Sequence, residues 1–317
     1  MKDRIAIALP GCFFLFFLLF PSQTLEASKH GLILWLDTLL PTLLPFLIIS
    51  QVILKTPLIE EIQKVFAPFF GRFFHCSESG TFCLLCGFLC GYPVGARLIT
   101  LQIQEQRLTV EEGQYLLGFC SNVSPMFCIS YGILYAIGST SVLPYLFCIY
   151  GSAVLFGLCT RPKRIPKVST HSKKQTSAAE NFVQLIDVCI IDSFMIMIRL
   201  CGYLILFSIF CAAILQILPE RFLFMEPVIC GFLEITGGLS KVAALPHGIF
   251  RSVAGVAILS FGGLCCIFQT NSVIFQSGLS LKKYLLQKLW ITLIALFFFV
   301  LWYVFFNSRF FCSNGWS

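Results

Sequence analysis

The chain has 317 residues, 57% of them hydrophobic and only 12% charged, with a net charge of +7 and a mean hydropathy of +0.87. A soluble domain of this size carries about 25% charged residues, so the composition excludes an ordinary water-soluble protein and defines an all-α polytopic membrane protein. The positive excess lies in juxtamembrane lysines and arginines rather than on a nucleic-acid surface; the partner this implies is the lipid bilayer, with no nucleic acid and no cofactor expected.

Lys2 and Arg4 precede an apolar segment, 5–20, that ends at Pro21. The position before Ser28 lacks a small-residue cleavage pattern, with Leu25 where a small residue is wanted. The segment therefore reads as an uncleaved first helix running outward from the cytoplasm, with an outer loop completing residues 1–30. The second crossing, 31–54, carries Asp37 near its outer end and bends at Pro41 and Pro45. Residues 57–74 set Glu60, Glu61 and Lys64 against Leu58, Ile62, Val65, Phe66, Phe69 and Phe70, an amphipathic helix on the cytoplasmic face of the membrane.

Residues 81–104 begin as a membrane-grade apolar run and then break at Gly91-Tyr92-Pro93-Val94-Gly95-Ala96-Arg97. Two glycines and a proline interrupt the helix, and unpaired backbone at membrane depth survives only where protein buries it or a wet cavity lines it. Each arm is too short to span about 30 Å of hydrocarbon, so a re-entrant hairpin fits, and its tip is a candidate binding site; the alternative is a packing kink. Cys83, Cys86 and Cys90 have ligand-like spacing, yet no histidine or carboxylate cluster accompanies them, so they read as packing residues and no metal site is expected. Thr109 and Glu112 form a capping box for the next helix. That helix is itself interrupted at Ser121-Asn122-Val123-Ser124-Pro125, where mid-membrane polar side chains imply a ligand contact or interhelical hydrogen bonds. Residues 141–159 return to the cytoplasm.

The stretch 161–180, with Arg161, Lys163, Arg164, Lys167, Lys173 and Lys174 among proline, serine and threonine, is a cytoplasmic linker. It separates a first repeat, 31–160, from a second, 181–306, followed by a tail, 307–317. Residues 182–218 are too long for one straight crossing; Asp187, Asp192 and Arg199 place the first half along the interface or in the interior. Gly231-Phe232-Leu233-Glu234-Ile235-Thr236-Gly237-Gly238-Leu239-Ser240-Lys241 echoes the first broken segment, with Lys241 matching Arg97. Leu259-Ser260-Phe261-Gly262-Gly263 likewise echoes Leu117-Gly118-Phe119-Cys120-Ser121. Gln269-Thr270-Asn271-Ser272 is a further polar break. Lys282, Lys283 and Lys288 read as cytoplasmic, and the last crossing, 289–306, runs outward. Each half then holds three crossings and one hairpin, and an odd number makes the second repeat inverted relative to the first.

Gly91-Tyr92-Pro93-Val94-Gly95-Ala96-Arg97, Leu117-Gly118-Phe119-Cys120-Ser121-Asn122 and the blocks 232–239, 259–264 and 279–285 resemble the Gate, or nucleoside-recognition, domain, and within it the YlbJ family of sporulation integral membrane proteins. The resemblance covers about 32–289. It implies a multi-pass protein of the mother-cell or forespore membrane acting in spore envelope and cortex assembly, and a distant likeness to concentrative nucleoside transporters. The chain departs from the family at Gly238, where an asparagine is expected, and at Ser121 to Ser124. A nucleoside-like solute is thus implied by analogy of fold alone. The expected function is a transporter-like permease for a small polar solute. Its ligand contacts would come from Gly91, Tyr92, Pro93, Gly95, Arg97, Ser121, Asn122, Ser124, Glu234, Thr236, Gly237, Gln269 and Asn271. The alternative is a non-transporting scaffold that recruits other sporulation membrane proteins. No nucleophile–base pair stands out, so no catalytic residue and no enzyme activity is expected. For Arg97, Glu234 and Asp192 are the available ionic partners.

Overall fold

A computed structural model describes residues 11, 13–163 and 182–313, so the start of the first helix and most of the basic linker lie outside the described residues. Among those residues the secondary structure is helix throughout, with no strand. Pro21–Leu34 (α1), a π-helical turn at Trp35–Leu39, and Leu40–Lys55 (α2) form one bent crossing. The wide turn has a cause: Pro41 lacks an N–H and its ring displaces the carbonyl four residues back, at Asp37. The outer loop expected before Gly31 is helix instead. Pro21 occupies the first turn, where a missing donor costs nothing and its fixed φ suits the helix.

Leu58–Phe74 (α3) lies on the surface with Val65, Phe69 and Phe73 exposed, and turns by 92° into Glu78–Cys90 (α4). Val94–Gln104 (α5) folds back on α4. Val110–Cys120 (α6) continues after a break as Pro125–Phe127 and a π-helical Cys128–Ile137 (together α7). The Thr109 hydroxyl accepts from Glu112 N at 3.1 Å, as a capping box requires. The Glu112 carboxylate departs from the box: it accepts from Ser77 N at 2.6 Å and so fastens the start of α6 to the start of α4. Val142–Cys159 (α8) completes the first half.

The second half opens with Phe182–Ile217 (α9), one continuous helix of 36 residues where two pieces were expected. It contains no proline, and Asp192 is neutralised by Lys55 of α2 at 2.8 Å. Then come Glu226–Leu233 (α10), Ile235–Ala243 (α11), Ile249–Phe261 (α12), Gly263–Ile274 (α13) and Leu281–Ser313 (α14). Six described helical stretches are long and apolar enough to cross a membrane: 21–53, 110–137, 142–159, 182–217, 249–274 and 281–305. They coincide with the six crossings expected between 31 and 306. In the stretches 110–137 and 249–274, 72% and 78% of the apolar window is buried, against 11–39% in the other four. The two interrupted spans are therefore the interior of the molecule, and the uninterrupted ones surround them. α1 and α2 pack along α9, and α8 packs along α14.

Candidate functional site

The two predicted hairpins are short-armed. α4 and α5 have 13 and 11 residues, about 20 and 16 Å at about 1.5 Å per residue; α10 and α11 have 8 and 9. Both fold tightly on a glycine pair. A Cβ on Gly95 would sit 2.8 Å from the Cα of Gly87, and one on Gly238 would sit 2.1 Å from the Cα of Gly231. Gly87 in turn faces Cys120 at the end of α6, while Gly231 faces Ile258 near the end of α12. The first tip, Gly91-Tyr92-Pro93, needs glycine for a second reason: Gly91 has φ of +70°, and a Cβ there would lie 2.6 Å from Ser124 N.

This contact carries the first tip onto the break between α6 and α7, whose carbonyls are each met by a different element. Lys288 of α14 donates to Ser121 O at 3.1 Å and to Asn122 Oδ1 at 3.0 Å. Tyr92 N donates to Asn122 O at 3.0 Å, and the Tyr150 hydroxyl of α8 donates to Val123 O at 2.8 Å. Asn122 Nδ2 donates to Phe119 O at 2.6 Å, and Ser124 caps α7 by accepting from Phe127 N at 3.3 Å. Buried backbone freed by a broken helix must find such partners. Lys288 itself is wholly buried, its ammonium 5.4 Å from the centroid of the Tyr92 ring.

The second tip is capped from within. Glu234, 2% exposed, accepts from Thr236 N at 2.7 Å and from Gly237 N, closing the first turn of α11. Its neighbour across the centre is the first tip: a cavity of about 50 Å³ is bounded by Cys90, Tyr92 and Ser124 on one side and by Glu234, Thr236 and Gln269 on the other. Three buried polar side-chain atoms around these breaks, Ser121 Oγ, Ser260 Oγ and Gln269 Oε1, have no hydrogen-bond partner, while the Tyr92 and Tyr284 hydroxyls lie against each other and Thr236 against Glu234. Buried polar atoms left without a partner are costly.

Gln269 and Leu200 also line a larger cavity of about 240 Å³ between α5, α9 and α13. Arg97 and Arg199 both border it, with Thr100, Gln104 and Ser272. Among the described residues neither guanidinium has an ion pair or hydrogen bond. The two partners expected for Arg97 are committed elsewhere, Asp192 to Lys55 and Glu234 to its helix cap. Lys241, the counterpart of Arg97 in sequence, pairs with Glu226 at 2.7 Å and lines neither cavity.

Of the residues singled out in the sequence, Tyr92, Ser124, Glu234, Thr236 and Gln269 share the central cavity, and Pro93, Arg97 and Gln269 border the larger one. Ser121 and Asn122 hold Lys288, while Gly91, Gly95 and Gly237 shape the tips. Asn271 is half-buried and lines neither cavity. At Gly238, where the family resemblance leads one to expect asparagine, the approach of Gly231 leaves no room for a side chain. The chief correction is Lys288: it was expected at the surface with Lys282 and Lys283, and while those two are exposed it is part of the interior. A signal was present in the sequence. Tyr284, Lys288, Ile291, Ala295 and Phe299 recur at helical spacing, and all five are buried.

These features define a multi-pass, all-α membrane protein whose interior is built from broken helices. The chain is similar to the sporulation integral membrane protein YlbJ of Bacillus subtilis (strain 168), at 25% identity over 90% of this chain and 80% of that protein. No family model and no solved structure matches it.

Proposed function

We propose that the protein is a transporter-like permease of endospore formation that passes a small, negatively charged polar solute between its two hairpins. The sporulation setting rests on the name of its Bacillus subtilis relative. The observation that carries the rest is the pair of cavities meeting at Gln269. The inner one lies between both hairpin tips, largely apolar but with Tyr92, Ser124, Glu234, Thr236 and Gln269 in its lining, and the outer one is bordered by two arginines without a carboxylate partner. Paired interrupted segments in two halves of a chain are the usual place of a transporter's binding site. A cation facing a wet cavity in a membrane protein favours an anionic ligand. The likeness of the hairpins to a Gate domain, and an inverted relation of the two halves, are part of this reading. They are supported by the matched glycine contacts Gly87–Gly95 and Gly231–Gly238. The protein on this reading binds and moves its solute without chemical conversion.

Proteoliposomes holding the purified protein test this with a panel of radiolabelled solutes: small mono- and dicarboxylates, a sugar phosphate and uridine. Saturable uptake of an anion, lost in Arg97→Gln, is the expected result. Uptake of uridine alone would overturn the charge assignment. No uptake, together with recovery of stable spore-envelope partners from sporulating cells, would favour the scaffold reading instead.

A further inference from the structure

Lys288 is the one wholly buried cation among the described residues, and the place it occupies is unusual for a side chain. The break after α6 exposes the negative end of a half-helix, and unwound carbonyls at such ends are where transporters of discontinuous-helix design hold a coupling cation. Here the oxygens of that place, Ser121 O and Asn122 Oδ1, both bind the Lys288 ammonium, and the face of the Tyr92 ring lies near its third side. Ser121 Oγ, buried at the same break, is left without a partner. The other titratable groups facing Lys288 are the Cys266 thiol of α13 and the phenols of Tyr92 and, on its own helix, Tyr284. No carboxylate pairs with it among the described residues. A charge on this ammonium would be met by carbonyl dipoles and a π face, as that of a bound alkali-metal ion would be.

We propose that Lys288 is a tethered cation filling a monovalent-cation site at the first break, so that the protein works without Na⁺ or K⁺ at that site and would accept one only if the lysine were removed. The inference rests on the transport reading for its meaning, but the site itself can be tested without a solute. The detergent-purified protein and its Lys288→Ala variant are melted in NaCl, KCl and choline chloride at matched ionic strength. The unaltered protein is expected to melt at the same temperature in all three. Lys288→Ala is expected to melt lower in choline and to recover saturably in NaCl or KCl, by a few degrees at about ten times the dissociation constant. A saturable rise of the unaltered protein with Na⁺ or K⁺ overturns the proposal, as does a Lys288→Ala variant equally stable in the three salts. Should Lys288→Ala yield no folded protein, Lys288→Gln, which shortens the side chain and removes its charge, is read by the same two criteria. A failed uptake assay would count against transport alone, since melting requires no transported solute.

Discussion

A Cβ on Gly238 would lie 2.1 Å from the Cα of Gly231, closer than any two such atoms can approach. The arms of the second hairpin therefore touch backbone to backbone, and the same contact recurs at 2.8 Å between Gly95 and Gly87 in the first. Gly238→Ala and Gly95→Ala should each separate the arms and lower the yield of folded protein. The cost is at least the roughly 1–3 kcal/mol of ordinary overpacking, because backbone has no rotamer with which to give way. Gly202→Ala, with no atom within 4 Å of the added methyl, is the control. Fluorescence-detected size-exclusion and melting of the variants measure the difference.

Arg97 borders the larger cavity without an ionic partner, so its guanidinium is not holding the fold together through a salt bridge. Arg97→Gln should leave membrane-protein levels near normal while abolishing complementation of a sporulation defect. Arg199→Gln should weaken complementation in the same direction. Full rescue by Arg97→Gln would make Arg97 an interface anchor only.

Tyr92 presents a sharper separation of stability from function. Its hydroxyl is buried against that of Tyr284, which also reaches Thr270. Tyr92→Phe leaves Tyr284 its Thr270 contact, so the loss of stability should be small, about 1 kcal/mol for one hydrogen bond. Activity should be lost entirely if the Tyr92 hydroxyl meets the solute. A marked fall in melting temperature would show that the hydroxyl serves the fold.

Glu234 is used by its own helix, not by Arg97. Glu234→Ala would orphan two N–H groups in a buried turn, and burying an unmade hydrogen bond costs about 1–3 kcal/mol per group. Glu234→Gln retains one acceptor and should fall between Ala and the unaltered protein in melting temperature. Equal stability of all three would remove the capping role.

Topology follows from the distribution of lysine and arginine. Reporter fusions in the linker near Lys174 and before Lys282 should report the cytoplasm, and fusions near His247 the opposite side. A linker found outside would contradict the paired, inverted reading of the two halves.

Read by itself, the sequence determined the class, the six crossings and two of the places where helices break. Each of these depends on local chemistry: apolar runs long enough for a bilayer, and glycine, proline or asparagine interrupting them at 91–93 and 121–124. Two expected breaks moved: 269–272 lies within the continuous helix Gly263–Ile274, whose break is at Gly262, and the second hairpin turns at Glu234, with Gly237 and Gly238 inside Ile235–Ala243. What the sequence left open was which polar group meets which. Asp192 is taken by Lys55, 137 positions away, and Asn122 by Lys288, 166 positions away. Charge pairing across an interior depends on how helices distant in the chain are brought side by side, and no local pattern encodes that. Tertiary packing alone therefore left Arg97 without its expected partners, and it set Lys288, on an apolar stripe legible in the sequence, into the interior where flanking charge suggested a surface role. Only the burial of the whole stripe from Tyr284 to Phe299 distinguishes that lysine from its exposed neighbours, Lys282 and Lys283.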